Sequence, residues 1–292
     1  MNKDSNVSGI ENLKRLFPFE SKFFSVGKLK LHYIDEGKGP LIVFMHACPM
    51  WSFFYRNLIR ELSVNHRVIS IDQLGFGLSD KPQDYDNHIE SHIDHFERFA
   101  QTLSLTDMTL VMHGRGTVIG LGYAVKNPNN VRAFITLNAM PFSGFSLPWR
   151  LLPCRVNKWL GTKIIMGLAV FQWDTKILPP DIAAAYEYPL HQKEGKVAIL
   201  RFVEDLPIVP EDDSSQSMFE IEAGLRLLRD LPSCIIWGMK DWLYRKRNLK
   251  RWTQYFPNAE VHKLKNGGRY LTEDSPKELQ DIITNFLAKN NL

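Results

Sequence analysis

The chain has 292 residues, 44% of them apolar and 23% charged, with a formal net charge of +4. That length suffices for one large core or a core carrying an insertion, and these are ordinary globular proportions, which exclude a disordered or fibrous chain. The excess charge is too small to argue for nucleic acid.

Residues 1–11 are polar and lack an apolar h-region, so no secretory signal is expected. β-branched runs at 41–46, 67–72, 109–113 and 133–138 predict buried strands, with helical patterns between them near 52–62, 88–103 and 118–126. Such alternation implies a parallel sheet with helices on both faces. The pattern breaks after Asn138. The following stretch is rich in aromatic and aliphatic residues and holds Pro141, Pro148, Pro153, Pro179, Pro180 and Pro189, which reads as a mostly helical insertion. Strand signals return at 234–237 and 259–264, and a closing helix is predicted over 276–287. The predicted core is therefore 1–139 with 226–292, and 140–225 is a helical cap. The apolar run 164–171 is far too short to span a bilayer.

Cys48, Cys154 and Cys234 are odd in number and show no metal or redox spacing. They suggest a reducing compartment, most simply the cytoplasm, and no metal or other cofactor is expected. Arg245, Lys246, Arg247, Lys250 and Arg251 cluster on one predicted helix. They read as a solvated face, with peripheral contact to anionic lipid or an acidic partner as the sharper alternative.

In an open parallel sheet the chemistry sits at the carboxyl ends of the strands. The first of these ends carries His46, Ala47, Cys48, Pro49, Trp51, Ser52, Phe53, Tyr55 and Arg56. The second is Asp72-Gln-Leu-Gly-Phe-Gly-Leu-Ser-Asp-Lys-Pro82, whose glycines permit tight turns and whose acid can bond nearby backbone. The third passes from His113 through Gly114-Arg115-Gly116 into a helix. The fourth ends at Asp241, and the fifth is Asn266-Gly-Gly-Arg-Tyr-Leu-Thr-Glu-Asp-Ser-Pro276.

These five segments resemble the haloalkane dehalogenases and, over nearly the whole chain, the β-lactone decarboxylases of bacterial long-chain olefin synthesis. Leu13-Lys-Arg-Leu-Phe-Pro-Phe19 and Leu200-Arg-Phe-Val-Glu-Asp-Leu-Pro207 are similar to the second group. The resemblance implies the α/β-hydrolase fold: a mostly parallel eight-stranded sheet flanked by helices, with an inserted helical cap. It also implies a covalent mechanism run by an aspartate nucleophile, a histidine and an acid. Carried onto this chain, the nucleophile position is Gly114, the acid is Asp241 and the histidine position is Arg269. Cys48 stands where the dehalogenases have a halide-holding asparagine, in the loop that supplies an oxyanion N–H. Arg115 stands where they have a halide-binding tryptophan. Glycine has no side chain with which to form a covalent intermediate, and arginine stays protonated and cannot act as a general base.

Among the nine histidines, none lies in a strand-end loop opposite Gly114. Cys48 is an alternative thiol nucleophile. A dinucleotide fingerprint at 114–120 is rejected, because its third glycine is one residue late and residues 132–140 hold no ribose-binding acid. The expectation is a binder of a small apolar or acyl-type ligand, such as a long-chain carboxylate. Its lid would be built from Phe142, Phe145, Leu147, Trp149, Leu151, Leu152, Trp159, Leu160 and residues 164–171. Its arginines would be Arg269, paired with Asp241, and Arg115 if that side chain points inward. The alternative is an enzyme doing non-covalent electrostatic catalysis, or thiol chemistry through Cys48.

Overall fold

The computed structural model describes residues 13–143, 178–191, 194–205, 214–241, 243–244 and 246–292, without the side chains of Val203, Glu204, Lys246 and Arg247. Its strands are β1 (Lys22–Val26), β2 (Leu29–Glu36), β3 (Leu41–Met45), β4 (Arg67–Ile71), β5 (Met108–His113), β6 (Val131–Leu137), β7 (Ser233–Gly238) and β8 (Glu260–Leu264). They form one sheet in the order β1-β2-β4-β3-β5-β6-β7-β8. β1 and β2 form an antiparallel hairpin, β2 runs antiparallel to β4, and the remaining pairings are parallel. The helices are α1 (Arg56–Leu62), α2 (Ile89–Thr102), α3 (Arg115–Lys126), α4 (Pro180–Glu187), α5 (Val197–Glu204), α6 (Ser215–Gly224), α7 (Lys246–Tyr255), α8 (Leu271–Asp274) and α9 (Pro276–Lys289).

The six predicted strands are all present, and burial on both faces explains why the central ones are largely apolar. In β3, Val43 and Met45 join one buried layer with Phe96 and Phe99 of α2 and Ile119 of α3. Ile42 and Phe44 join the other, with Leu58 of α1 and Ile283 of α9. A strand covered on both faces must be apolar at consecutive positions, whereas a half-covered one alternates. Cys234 is buried in β7 as expected.

The described part of the insertion, α4 to α6, is helical and lies between β6 and β7. Of the predicted lid residues, those from Phe145 onward lie outside the described residues, as does Cys154. Phe142 is a core residue rather than a lid residue. It is fully buried, with its ring 5.3 Å from Trp252 and 5.2 Å from Tyr255. The basic cluster is also less uniform than a solvated face. Lys250 is exposed, but Arg251 donates to the Ser143 carbonyl at 2.9 Å and pairs with Glu222. The side chains of Arg245, Lys246 and Arg247 are outside the described residues.

The strand-end loops are tied to one another by buried polar groups. Arg56 grips Glu273 through two hydrogen bonds of 2.5 and 2.8 Å, and the Tyr186 hydroxyl of α4 donates to the same carboxylate at 2.6 Å. Asp72 accepts from Ser52 N at 2.7 Å, Ser52 Oγ at 2.6 Å, His32 Nδ1 at 2.8 Å and Leu78 N at 2.8 Å. A Cβ on Gly77 would lie 2.2 Å from Asp72 Oδ2, so only glycine lets this loop fold over its carboxylate. Burial opposes ionisation of Asp72, but the imidazoles of His32 and His46 and the Leu78 N–H outweigh it and hold its pKa at about 2.

A depressed carboxylate pKa stabilises the fold above the unfolded value, and that stability disappears as pH falls through the folded value. Asp72 is thus expected to contribute roughly 2 kcal/mol at neutral pH, withdrawn on acidification from about pH 4 to pH 2. Urea titrations of the protein and Asp72→Asn across that range check this. The gap between the two is expected to narrow towards pH 2, and a constant gap would remove the assignment.

Candidate functional site

The site is built where β5 turns into α3. Gly114 sits between them with φ +51° and ψ −121°, a backbone shape that L-residues adopt only under strain. It donates to the Leu137 carbonyl at 3.4 Å, and its own carbonyl accepts from Thr117 N at 3.1 Å. The turn thus has the sharp strand-to-helix form of a nucleophile elbow. A Cβ built on Gly114 would lie 2.7 Å from the Ala47 Cβ and 3.4 Å from the Tyr244 hydroxyl. The methyl of Ala47, at the end of β3, therefore stands against the root of any side chain at 114.

The neighbours of Gly114 are histidines with structural work. His46 is buried and bonds the Ala47 carbonyl through Nδ1 at 2.9 Å, while its Nε2 accepts from Gln73 N at 3.0 Å. His113 is buried and stacked on Phe54 at 4.7 Å between ring centres. Burial, with Arg269 and His46 nearby, pushes its pKa down to about 3, so it is neutral near pH 7.

Cys48 is buried. Burial raises its thiol to about 12 despite the nearby charges of Arg115 and Arg269. A thiolate is what attacks, so this environment works against the thiol-nucleophile alternative. The Cys48 carbonyl accepts from Arg269 Nη2 at 3.4 Å.

The expected Asp241–Arg269 ion pair is not formed. Asp241 Oδ1 accepts from Leu243 N at 2.8 Å and Tyr244 N at 3.1 Å, and Oδ2 accepts from Asn138 Nδ2 at 3.0 Å. Asn138 is held in turn by the Gly268 carbonyl, to which it donates at 2.8 Å, and by Gly238 N, from which it accepts at 2.7 Å. The acid is thus turned into its own loop, where three donors already hold it. Arg269 instead lies between Cys48 and Tyr244. Its Nε is buried and lacks a hydrogen-bond partner.

Arg115 does not point at Gly114 either. Its buried guanidinium donates to Asp205 Oδ2 at 2.7 Å and to the Asn87 carbonyl, and it lies 5.0 Å from the ring centre of Phe202 in α5. Ser214 Oγ completes this cluster, donating to Asp205 Oδ1 at 2.5 Å and accepting from Ile89 N at 3.0 Å. Arg115 thus joins the helical insertion to the core.

Tyr244 was not identified from sequence. Its hydroxyl reaches the space beside Gly114 because Asp241 bonds its backbone N–H and Trp237 Nε1 donates to its carbonyl at 3.1 Å. Burial raises its pKa to about 12 against the pull of Arg269, so it remains a hydrogen-bond donor. The only sequence signal is its place three residues after the acid. Among the described residues no group of three or more His, Cys, Asp or Glu side chains could hold a metal ion, and no helix is long and apolar enough to cross a membrane.

Residues 40–276 match a family described as alpha/beta hydrolase fold. The chain is 36% identical over 290 residues to the cis-3-alkyl-4-alkyloxetan-2-one decarboxylase of Shewanella oneidensis, covering 95% of this chain and 91% of that protein. It is 27% identical to haloalkane dehalogenase 2 of Mycobacterium bovis, over 92% of this chain and 95% of that one. In three dimensions it is similar to haloalkane dehalogenase DbeA from Bradyrhizobium elkani, with a TM-score of 0.83 at 21% identity, covering 94% and 99% of the two chains.

Proposed function

Because this chain belongs to the α/β-hydrolase-fold family, with haloalkane dehalogenase-like and β-lactone decarboxylase-like relatives, we propose that it is a pseudoenzyme holding a small apolar or acyl-type ligand without covalent chemistry. One observation carries this reading. Gly114 stands at the apex of the strand-to-helix turn, which supports reading it as the nucleophile position, and the Ala47 methyl stands 2.7 Å from where its Cβ would be. No oxygen or sulfur at 114 is available to attack, and Arg269 cannot accept a proton at neutral pH. When nucleophile and base are both removed from a covalent mechanism, most of the acceleration goes with them.

A second reading has one observation in its favour. The protonated Tyr244 hydroxyl beside the cationic Arg269 could act by electrostatic, non-covalent catalysis. The test is to incubate the purified protein with a cis-3-alkyl-4-alkyloxetan-2-one and, separately, a 1-haloalkane. Alkene and halide are expected to form at the buffer rate, with no adduct in the intact mass. Turnover that tracks the protein and disappears in Tyr244→Phe would replace the first reading with the second. Turnover that disappears in Cys48→Ala would instead restore the thiol.

A further inference from the structure

We infer that the space beside Gly114 is an anion site, and that it takes the carboxylate head of an acid with an apolar tail. The ligand's own carboxylate would stand where the aspartate side chain of active relatives stands. The assignment rests on the non-covalent reading above and adds the head group and its anchors.

Three features converge there. The first is the N-terminus of α3, which starts at Arg115 immediately after Gly114. The leading N–H groups of an α-helix have no intrahelical acceptor and present partial positive charge to whatever lies before them. The second is Arg269. Its Nε is buried and unpartnered, and its Nη2 makes only a long 3.4 Å contact to the Cys48 carbonyl. A guanidinium carries five N–H donors in a planar fork, so this one has donors to spare where burial makes unmet donors costly. The third is the Tyr244 hydroxyl, 3.4 Å from the Gly114 Cβ position, which keeps its proton near neutral pH.

These groups select for charge and for hydrogen-bonding shape. Arg269, Tyr244 and the helix terminus offer donors, and a carboxylate is an acceptor with two oxygens able to engage a planar guanidinium. The nearby acid does not already occupy Arg269, because Asp241 is held by Leu243 N, Tyr244 N and Asn138. Asp241 and Arg269 do feel each other's charge, which opposes the upward push of burial on the Asp241 pKa, but no hydrogen bond joins them. The Cys48 thiol at about 12 is neutral and adds no competing charge. An alcohol of the same length would meet the same walls but could satisfy fewer of these donors and none of the charge.

The probes are sodium octanoate and 1-octanol, titrated calorimetrically into the protein and into Arg269→Met, Arg269→Lys and Tyr244→Phe. Octanoate is expected to bind at least tenfold more tightly than octanol. Arg269→Met is expected to abolish that preference by weakening octanoate far more than octanol, Arg269→Lys to keep part of it, and Tyr244→Phe to lower octanoate affinity several-fold. Equal binding of acid and alcohol, binding of neither, or a preference that survives Arg269→Met would overturn the assignment. Should Arg269→Met fail to fold, the carboxyl-¹³C resonance of labelled octanoate bound to the unaltered protein decides. Its apparent pKa is expected to fall below that of free octanoate, and a value equal or higher would overturn the site. Loss of the acid preference with octanol still bound removes the head-group assignment alone. Turnover in the lactone assay removes the pseudoenzyme reading alone.

Discussion

Gly114→Asp is expected to lower the unfolding free energy by about 2–5 kcal/mol, and adding Ala47→Gly is expected to restore much of the loss. Two costs are involved. A side chain at φ +51° carries roughly 1–2 kcal/mol of backbone strain. The new Cβ also falls 2.7 Å from the Ala47 Cβ, an overpacking that typically costs about 1–3 kcal/mol. Removing the Ala47 methyl addresses only the second. The double-mutant cycle should therefore show a favourable coupling of about 1–3 kcal/mol, measurable by guanidinium unfolding of the four proteins. Additive effects would show that the two positions do not meet.

The same double variant tests the chemistry. A carboxylate at 114 can displace halide from a 1-haloalkane, but Arg269 cannot activate water to hydrolyse the ester. An alkyl adduct that accumulates without turnover is the expected intact mass.

Several parts of this architecture were legible in the chain. The strands of the parallel part were recognisable because burial on both faces demands consecutive apolar residues, as in Leu41–Met45. β1, at the sheet edge, and β2, beside it, escaped because polar residues interrupt their apolar runs. Lys22–Val26 alternates between exposed and half-buried positions, and Leu29–Glu36 carries Lys30, His32, Asp35 and Glu36. α3 was expected to begin at 118, whereas the helix starts at Arg115, directly after the turn at Gly114.

That Gly114, Asp241 and Arg269 lie in strand-end loops could be read from the motifs around them. Their partners could not, because a motif fixes where a side chain begins and not where it ends. Asp241 and Arg269 were expected to pair across facing loops, but backbone N–H groups two and three residues away reach the carboxylate first. The clash of Ala47 with a side chain at 114 joins two strand ends far apart in sequence, which only the folded sheet brings together. Tyr244 enters the site because its loop is curled around Asp241, a consequence of hydrogen bonding that residue spacing does not encode.

The largest such partner was Asp205, ninety positions from Arg115 and inside the helical insertion. Arg115→Leu is expected to cost about 3–5 kcal/mol, because it leaves a buried carboxylate without its cation. Burial already raises the Asp205 pKa against the pull of Arg115 and Ser214, and losing the arginine raises it further. A raised carboxylate pKa gives stability that is complete below the unfolded value and lost as pH climbs through the folded one. The deficit of Arg115→Leu should therefore be small near pH 4, where Asp205 can hold a proton, grow as pH rises from there, and level off above the variant's own pKa. Equal deficits at pH 5 and pH 8 would exclude an ionised Asp205 as the cause. Arg115→Leu with Asp205→Leu should recover most of the loss, since replacing a whole buried pair is far cheaper than breaking it. The pair lies between α3 and the end of α5, and through Ser214 it reaches the start of α2. Its rupture should therefore first loosen the insertion, so amide exchange in Val197–Glu204 and Ser215–Gly224 is expected to accelerate more than in β5 or β6. Uniform acceleration across the sheet and the insertion would mean instead that Arg115 holds the core itself.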